Sequence, residues 1–287
     1  MTFMRDVSIM IPTLNESLHL KRLLPHLKTL KLPFFVLDSY SSDDTTSLAK
    51  RYGGMVIQGR WKTFSEKLNF GLKKNPYRSQ WIIRIDADEY FDQNFIKFLR
   101  SETIKKIADD VDGIYINRKL YFMGQWMKHG GIYPGRIIRI MRPGRAFFEH
   151  KILDEHVEVK KFEVVNIDII DNPLYDLTHW LQKHIRYAEA YRYGYFSKKF
   201  SSRVVPKKGQ SRFKAFLQNT FLKSPPFLRC FMYWFYRYFI KCGFLDGLRG
   251  LIFITLQAFF YRFLIDALIY EYTHTNDRAK KIKKYVV

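Results

Sequence analysis

The residues best placed to do chemistry are Asp86, Asp88 and Glu89, three acids in four positions directly after the apolar run Trp81-Ile82-Ile83-Arg84-Ile85. That run is short and rich in β-branched residues, as in an inner strand of a parallel sheet. Ligands of open α/β sheets bind beyond the carboxyl ends of the strands. Carboxylates crowded there repel one another unless a cation joins them. A divalent ion bridging one or two of them to substrate phosphates would satisfy the arrangement. An acidic strand-to-helix turn is the structural alternative, since Asp and Glu also cap helices.

Two further strand ends carry polar groups. Val7–Ile11 leads into Pro12-Thr13-Leu14-Asn15-Glu16, and Phe34–Leu37 into Asp38-Ser39. Together with Asp86 and Asp88 they offer acceptors for a base and ribose at one edge and a metal for a diphosphate at the next. The first loop has no G-x-G-x-x-G turn and no Walker loop, which argues against a dinucleotide dehydrogenase and a P-loop enzyme. A sugar-nucleotide pyrophosphorylase would want glycines at this position, but a sugar-nucleotide nucleotidyltransferase stays open as one alternative. A non-catalytic membrane-binding module is another, for which the ordered acidic motifs would be pointless.

The elements that must hold these residues alternate from the start, the pattern of βαβ units. Helices are expected over Ser17–Leu30, which Pro25 should kink or shorten, from the Ser41/Asp44 cap through Arg51, and over Phe64–Lys73. Further strands are expected at Met55–Gln58, Asp112–Lys119 and Arg136–Met141, the last two around a glycine turn, His129-Gly130-Gly131. A long helix follows over Asp176–Lys198. Residues 1–200 therefore read as one α/β domain and 201–287 as a basic, aromatic helical extension. That last stretch holds 16 Lys and Arg against 4 Asp and Glu, so it carries +12 of the chain's +22, and 20 of its 50 aromatic residues.

Such charge implies an anionic partner. Nucleic acid is disfavoured, because RNA-binding aromatics line sheet faces and these cluster in helical segments. The apolar run Leu251–Tyr261 is too short to cross a membrane, and its extension meets Arg262 and Asp266. Packing in a core or in the membrane interface is expected instead. Two cysteines, Cys230 and Cys242, give no disulfide framework and fit a reducing compartment, and the N-terminus shows no signal-peptide pattern.

The three ordered segments Ser8-Ile9-Met10-Ile11-Pro12-Thr13-Leu14-Asn15-Glu16, Leu37-Asp38-Ser39-Tyr40-Ser41-Ser42-Asp43-Asp44-Thr45 and Arg84-Ile85-Asp86-Ala87-Asp88-Glu89 resemble the family 2 glycosyltransferases of the GT-A fold. Trp61…Phe64…Lys67…Asn69, Tyr121-Phe122-Met123-Gly124 with His129-Gly130-Gly131, and Gly243-Phe244-Leu245-Asp246-Gly247 resemble in particular the bacterial lipopolysaccharide-core β-1,4-glucosyltransferase group. The resemblance implies a UDP-sugar donor, a lipid-linked or polysaccharide acceptor, and Mg²⁺ or Mn²⁺. It implies that Pro12, Thr13, Glu16, Asp38 and Ser39 line the uridine site, and that Lys67 and Asn69 approach the base or diphosphate. Asp86 would lie near the ribose or metal, Asp88 would bind the metal, and His179 would supply a third ligand or a diphosphate contact. Gly130 and Gly131 would form the turn between donor and acceptor. The acceptor hydroxyl needs a base, and Asp154-Glu155-His156 supplies the acidic pair. Its second member, Glu155, is the expected base, and Asp154 stays open as the alternative. The extension would dock on the inner face of the cell membrane; a helical lid or self-association through the same surface are the alternatives.

Overall fold

Strand β1 (Val7–Thr13) is buried along its whole length and pairs in parallel with β2 (Phe34–Asp38) on one side and β4 (Trp81–Arg84) on the other. The chain is described by a computed structural model, which covers residues 6–101, 103–149, 156–196 and 224–275. β3 (Met55–Gln58) extends the parallel half beyond β2. The other half is mixed. β8 (Gly135–Met141) lies antiparallel between β4 and β6 (Gly113–Phe122), β11 (Phe162–Asp171) runs parallel to β6, and β5 (Glu89–Phe91) closes the edge antiparallel to β11. The order is β3-β2-β1-β4-β8-β6-β11-β5, with the short β7 (Gln125–Trp126) paired to β6 and a separate pair formed by β9 (Phe147–Phe148) and β10 (Val157–Glu158).

Side chains alternate between the faces of a strand, and the two faces of β1 accordingly feed two apolar layers. Ile9 and Ile11 pack with Leu20, Leu23, Leu24 and Leu27 of α1 (Ser17–Leu30), with α2 (Thr45–Arg51) and with Phe95 and Leu99 of α4 (Gln93–Arg100). Met10, Phe35 and Leu37 pack with Leu68 and Leu72 of α3 (Phe64–Lys73). Gly71 sits where a Cβ would meet Leu37 and Met10 at about 2.5 Å, so α3 lies close on the sheet.

Four expectations change. Pro25 does not shorten α1, which runs the full 14 residues; four leucines buried on one face hold it together. Asp44 is the N-cap of α2 without a side-chain cap bond, while Asp43 accepts from the Thr45 and Ser17 amides at 3.0 Å. The largely parallel sheet is half mixed, because β8 inserts between β4 and β6. The apolar run ending at Tyr261 belongs to a helix spanning Gly243–His274, 32 residues and by length and composition enough to cross a membrane. It continues because the π-helical stretch Thr255–Phe260 carries it through without a break.

The described residues group into two compact units, one within 1–128 and 132–174 and one within 129–131 and 175–275. Helix α5 (Leu177–Phe196) packs on Tyr261–His274 in the second unit, with His184 against Tyr261 and Phe196 against Tyr272. In that unit Arg229 is ion-paired with the buried Asp266, and Trp234 donates to Thr255 at 3.0 Å. The His129–Gly131 turn is clasped there. Asp246 accepts from the His129 amide at 2.9 Å and pairs with its Nδ1 at 2.7 Å, the Gly130 amide donates to the Lys241 carbonyl, and Arg237 Nε donates to the Gly130 carbonyl at 2.8 Å.

Candidate functional site

Strand register puts the first part of the site together. Thr13 is paired with Asp38 and Asp38 with Gln58, so the carboxyl ends of β1, β2 and β3 present three polar residues side by side. Asp38 is fully buried. It accepts from Thr13 Oγ1 at 3.1 Å, from the Ser41 amide at 2.9 Å, from Gln58 Nε2 at 3.0 Å and from the Ser41 hydroxyl. Burial alone would raise its pKa, but these donors outweigh it and hold the carboxyl below the usual range.

Lys67 reaches this row from α3. Its ammonium donates to the Thr13 carbonyl and to Ser39 Oγ, each at 2.8 Å, and lies 5.4 Å from the Trp61 ring centre. Only 4% of the residue is exposed. Burial pulls its pKa down to about 8, against the attraction of Asp38, Glu16 and Asp86. A charge held that dry beside one carbonyl and one hydroxyl acceptor suits an anionic ligand. Glu16, half-buried at the start of α1, is held by the buried His19 at 2.6 Å. The other ring nitrogen of His19 accepts the Leu174 amide at 3.0 Å, which fixes the ring.

The acidic turn after β4 is the second part. Glu89 Oε2 accepts the Asp86 amide at 2.8 Å and the Asp86 carbonyl accepts the Glu89 amide at 2.9 Å, closing the turn on itself. Asp86 is gripped by two arginines, with Arg84 donating from Nε and a terminal nitrogen at 3.1 Å and Arg139 donating at 2.9 Å. Against the burial that would raise it, Arg139 and Arg84 keep its carboxyl far below the ordinary carboxylate range. Arg139 is also ion-paired with Glu89. Burial nonetheless outweighs that pairing and raises the Glu89 carboxyl. Asp88 differs. Its carbonyl accepts from Arg22 at 2.8 Å and from the Asn172 amide at 3.1 Å, while its half-buried carboxylate forms no hydrogen bond or ion pair among the described residues. Asp171 at the end of β11 is raised by burial and by the neighbouring Asp88 charge.

The structure thus brings Thr13, Asp38, Ser39 and Lys67 into one bonded cluster, with Pro12 buried beside Thr13 in β1. It places Asp86 and Asp88 on one turn. Asn69 is occupied: its side chain donates to the Phe148 carbonyl at 2.8 Å and accepts the Phe148 amide at 2.7 Å, tying α3 to β9. His179 belongs to the second unit, where it stacks on Tyr175 at 3.9 Å. Gly130 and Gly131 have φ of +68° and +69°, the left-handed region open to glycine. Asp154 and Glu155 lie outside the described residues. Sequence reasoning missed Arg139, His19 and Asp171. Arg139 had a signal, an arginine inside the run Ile137-Ile138-Arg139-Ile140-Met141, since a guanidinium in a buried strand requires an acidic partner.

The donor set can be tested against a divalent metal. Among the described residues no three His, Cys, Asp or Glu form a metal cage. Magnesium-type sites on nucleotides need only one or two carboxylates plus phosphate oxygens, and the uncommitted Asp88 carboxylate supplies that. Asp86, held by two guanidinium groups, is a second-rank donor.

The glycosyl transferase family 2 model matches residues 8–156, more than half of the chain and the whole stretch from β1 to β9. The chain belongs to that family. Its sheet joins a parallel half, β3-β2-β1-β4, to a mixed half. Curated relatives include uncharacterized glycosyltransferases of Rickettsia prowazekii, 32% identical over 31% of this chain and 30% of that one, and of Rickettsia felis, 30% identical over 39% and 35%. The match thus spans about a third of those relatives. Similar solved structures include TarS residues 1–349 of S. aureus, 14% identical, covering 94% of this chain and 92% of that one at a TM-score of 0.43. Another is glucosyl-3-phosphoglycerate synthase of Mycobacterium tuberculosis with Mn²⁺, UDP and glucosyl-3-phosphoglycerate, 14% identical over 61% and 75% at 0.41.

Proposed function

We propose that this family member transfers a sugar, glucose or another hexose, from a UDP-sugar to a lipid-linked or surface-polysaccharide acceptor, with inversion and with a divalent metal. The observation that carries the reading is the pairing of two polar constellations on one sheet. The Thr13–Asp38–Ser39–Lys67 cluster at the ends of β1 and β2 is built to hold a uridine and its first phosphate. The Asp86-Ala87-Asp88 turn at the end of β4 offers one free carboxylate for a metal. Mg²⁺ or Mn²⁺ held by Asp88 would neutralise charge on the departing diphosphate. The acceptor hydroxyl attacks the anomeric carbon, the bond to UDP breaks, and the hydroxyl proton passes to Glu155 or, in the alternative, to Asp154. Inversion rests on the family resemblance and on a sequence that offers no evident second nucleophile. The further motifs at 121–131 and 243–247 support the lipopolysaccharide-core β-1,4-glucosyltransferase group within the family.

The test is a screen of UDP-sugars for hydrolysis and for thermal stabilisation of the protein, with and without Mn²⁺. One UDP-hexose should stabilise and be hydrolysed only with the metal present. Asp88→Ala should lose both responses and melt like the parent. Hydrolysis by Asp88→Ala at more than about a tenth of the parent rate would sink the metal assignment, since the ion should supply several kcal/mol.

A further inference from the structure

Helix Leu228–Phe235 and its π-helical continuation to Ile240 are inside out. A helix of a protein dissolved in water turns its apolar stripe inward and its charges outward. Here Leu228, Phe231, Met232, Phe235 and Phe239 follow at helical spacing, and each is 46–56% exposed. The opposite side buries Cys230 and Arg237, the latter only 7% exposed. The buried guanidinium is satisfied within its own unit by the Gly130 carbonyl at 2.8 Å and by Gln257 Oε1 at 2.6 Å. The next segment continues the pattern, with Ile240 62%, Phe244 45%, Leu245 59% and Leu248 72% exposed. Nine large apolar residues within 21 positions exceed the scattered exposure normal for a soluble surface.

We infer that this face is a docking surface for an anionic lipid bilayer, with Leu228–Leu248 lying in the headgroup–acyl boundary. Charge chooses the occupant. Over residues 228–252 the only acid is Asp246, 4% exposed and engaged by His129, whereas the cations Lys241 and Arg249 stand exposed. A second copy of the same face would bring like charges together; an anionic leaflet attracts them, and the apolar stripe enters the boundary region. The helix Gly243–His274 is long enough to cross, but its Asp266 is fixed to Arg229 and to the Phe227 amide at 2.9 Å, and Arg262 stands one turn earlier. Charges so placed oppose burial in hydrocarbon, so the surface lies on the membrane and does not span it. The inference stands independently of the donor reading, and it fits an acceptor carried on lipid.

The test is flotation of the full chain with vesicles of phosphatidylcholine alone and of phosphatidylcholine mixed three-to-one with phosphatidylglycerol. The parent should float with the anionic vesicles and be released by alkaline carbonate. Phe231→Ser, Phe235→Ser and Leu248→Ser combined should weaken partitioning by about a hundredfold. Lys241→Glu with Arg249→Glu should remove the preference for the anionic lipid. Failure of the parent to float overturns the proposal. So does floating that resists carbonate, which would mean a span. A dimer dissociated by the serine variant without vesicle binding would make the face a self-interface and also overturn it. A lowered melting temperature with unchanged floating would show that the chain itself covers the stripe, and it too overturns the proposal.

Discussion

Lys67→Met separates what the buried ammonium costs the fold from what it gives the site. The fall of its pKa from 10.5 to about 8, at 1.36 kcal/mol per unit, corresponds to roughly 3 kcal/mol of folding stability lost at neutral pH to keep the charge buried. Methionine has similar length and no charge, so that cost disappears. Against it stand two lost hydrogen bonds, to the Thr13 carbonyl and Ser39 Oγ. The Thr13 carbonyl keeps the Ser39 amide at 3.1 Å and Ser39 is half-buried, so the loss is about 1–2 kcal/mol. The variant should therefore be more stable than the parent by about 1–2 kcal/mol in urea unfolding at neutral pH, while its UDP affinity falls at least tenfold (about 1.4 kcal/mol) by calorimetry. The pH dependence gives an independent check. Between about pH 8 and 10.5 the unfolded chain still holds the proton that the folded site has released, so the parent gains stability as pH rises through that window. Lys67→Met should lack this gain. A variant less stable than the parent with an unchanged pH slope refutes the buried-charge argument. Unchanged UDP affinity removes Lys67 from the donor site.

Arg139→Met leaves Glu89 buried with no cationic partner and Asp86 with Arg84 alone, and should cost about 3–5 kcal/mol in urea unfolding; a loss under about 1 kcal/mol would show the network to be dispensable. Asn69→Ala breaks the reciprocal bond to the Phe148 backbone and should lower stability by about 2 kcal/mol with UDP affinity held within twofold, and a selective loss of UDP binding would return Asn69 to the donor site. Glu155→Gln should cut turnover by about 10²–10⁴-fold at unchanged UDP affinity. If Asp154→Asn shows that loss instead, the base is one residue earlier.

Much of the parallel half of the sheet is legible in the sequence because its signals are local. Short continuous apolar runs and helical spacing place β1 through β4 and α3, and a strand followed by polar residues marks the expected binding edge whatever lies elsewhere. The other half is less so. Asp86 owes its charge state to Arg139, 53 residues away, and the two meet only because β8 enters antiparallel beside β4. No periodicity announces that insertion. Asp171 reaches the turn because β11 pairs antiparallel with β5, which sets it opposite Glu89, and that pairing is equally silent in sequence. Lys67 and Asn69, two apart on one helix, look equivalent as sequence; the tertiary environment sends one to the strand ends and the other to β9. The long C-terminal helix reads as shorter than it is because charged residues count as breaks, whereas Arg262 and Asp266 lie inside it, Asp266 ion-paired with Arg229 from a separate segment.

The clasp on His129–Gly131 bears on how such a protein can be divided. The chain leaves the first unit for three residues, is held by Asp246, Arg237 and Lys241, and returns at Ile132. A single cut at Leu174 therefore does not yield two self-sufficient modules, since the second would lose a loop that satisfies its own buried Asp246 and Arg237. Gene fusion or recombination at one point would inherit that defect. Only exchange of the tripeptide together with the helices would carry the second unit intact into another transferase.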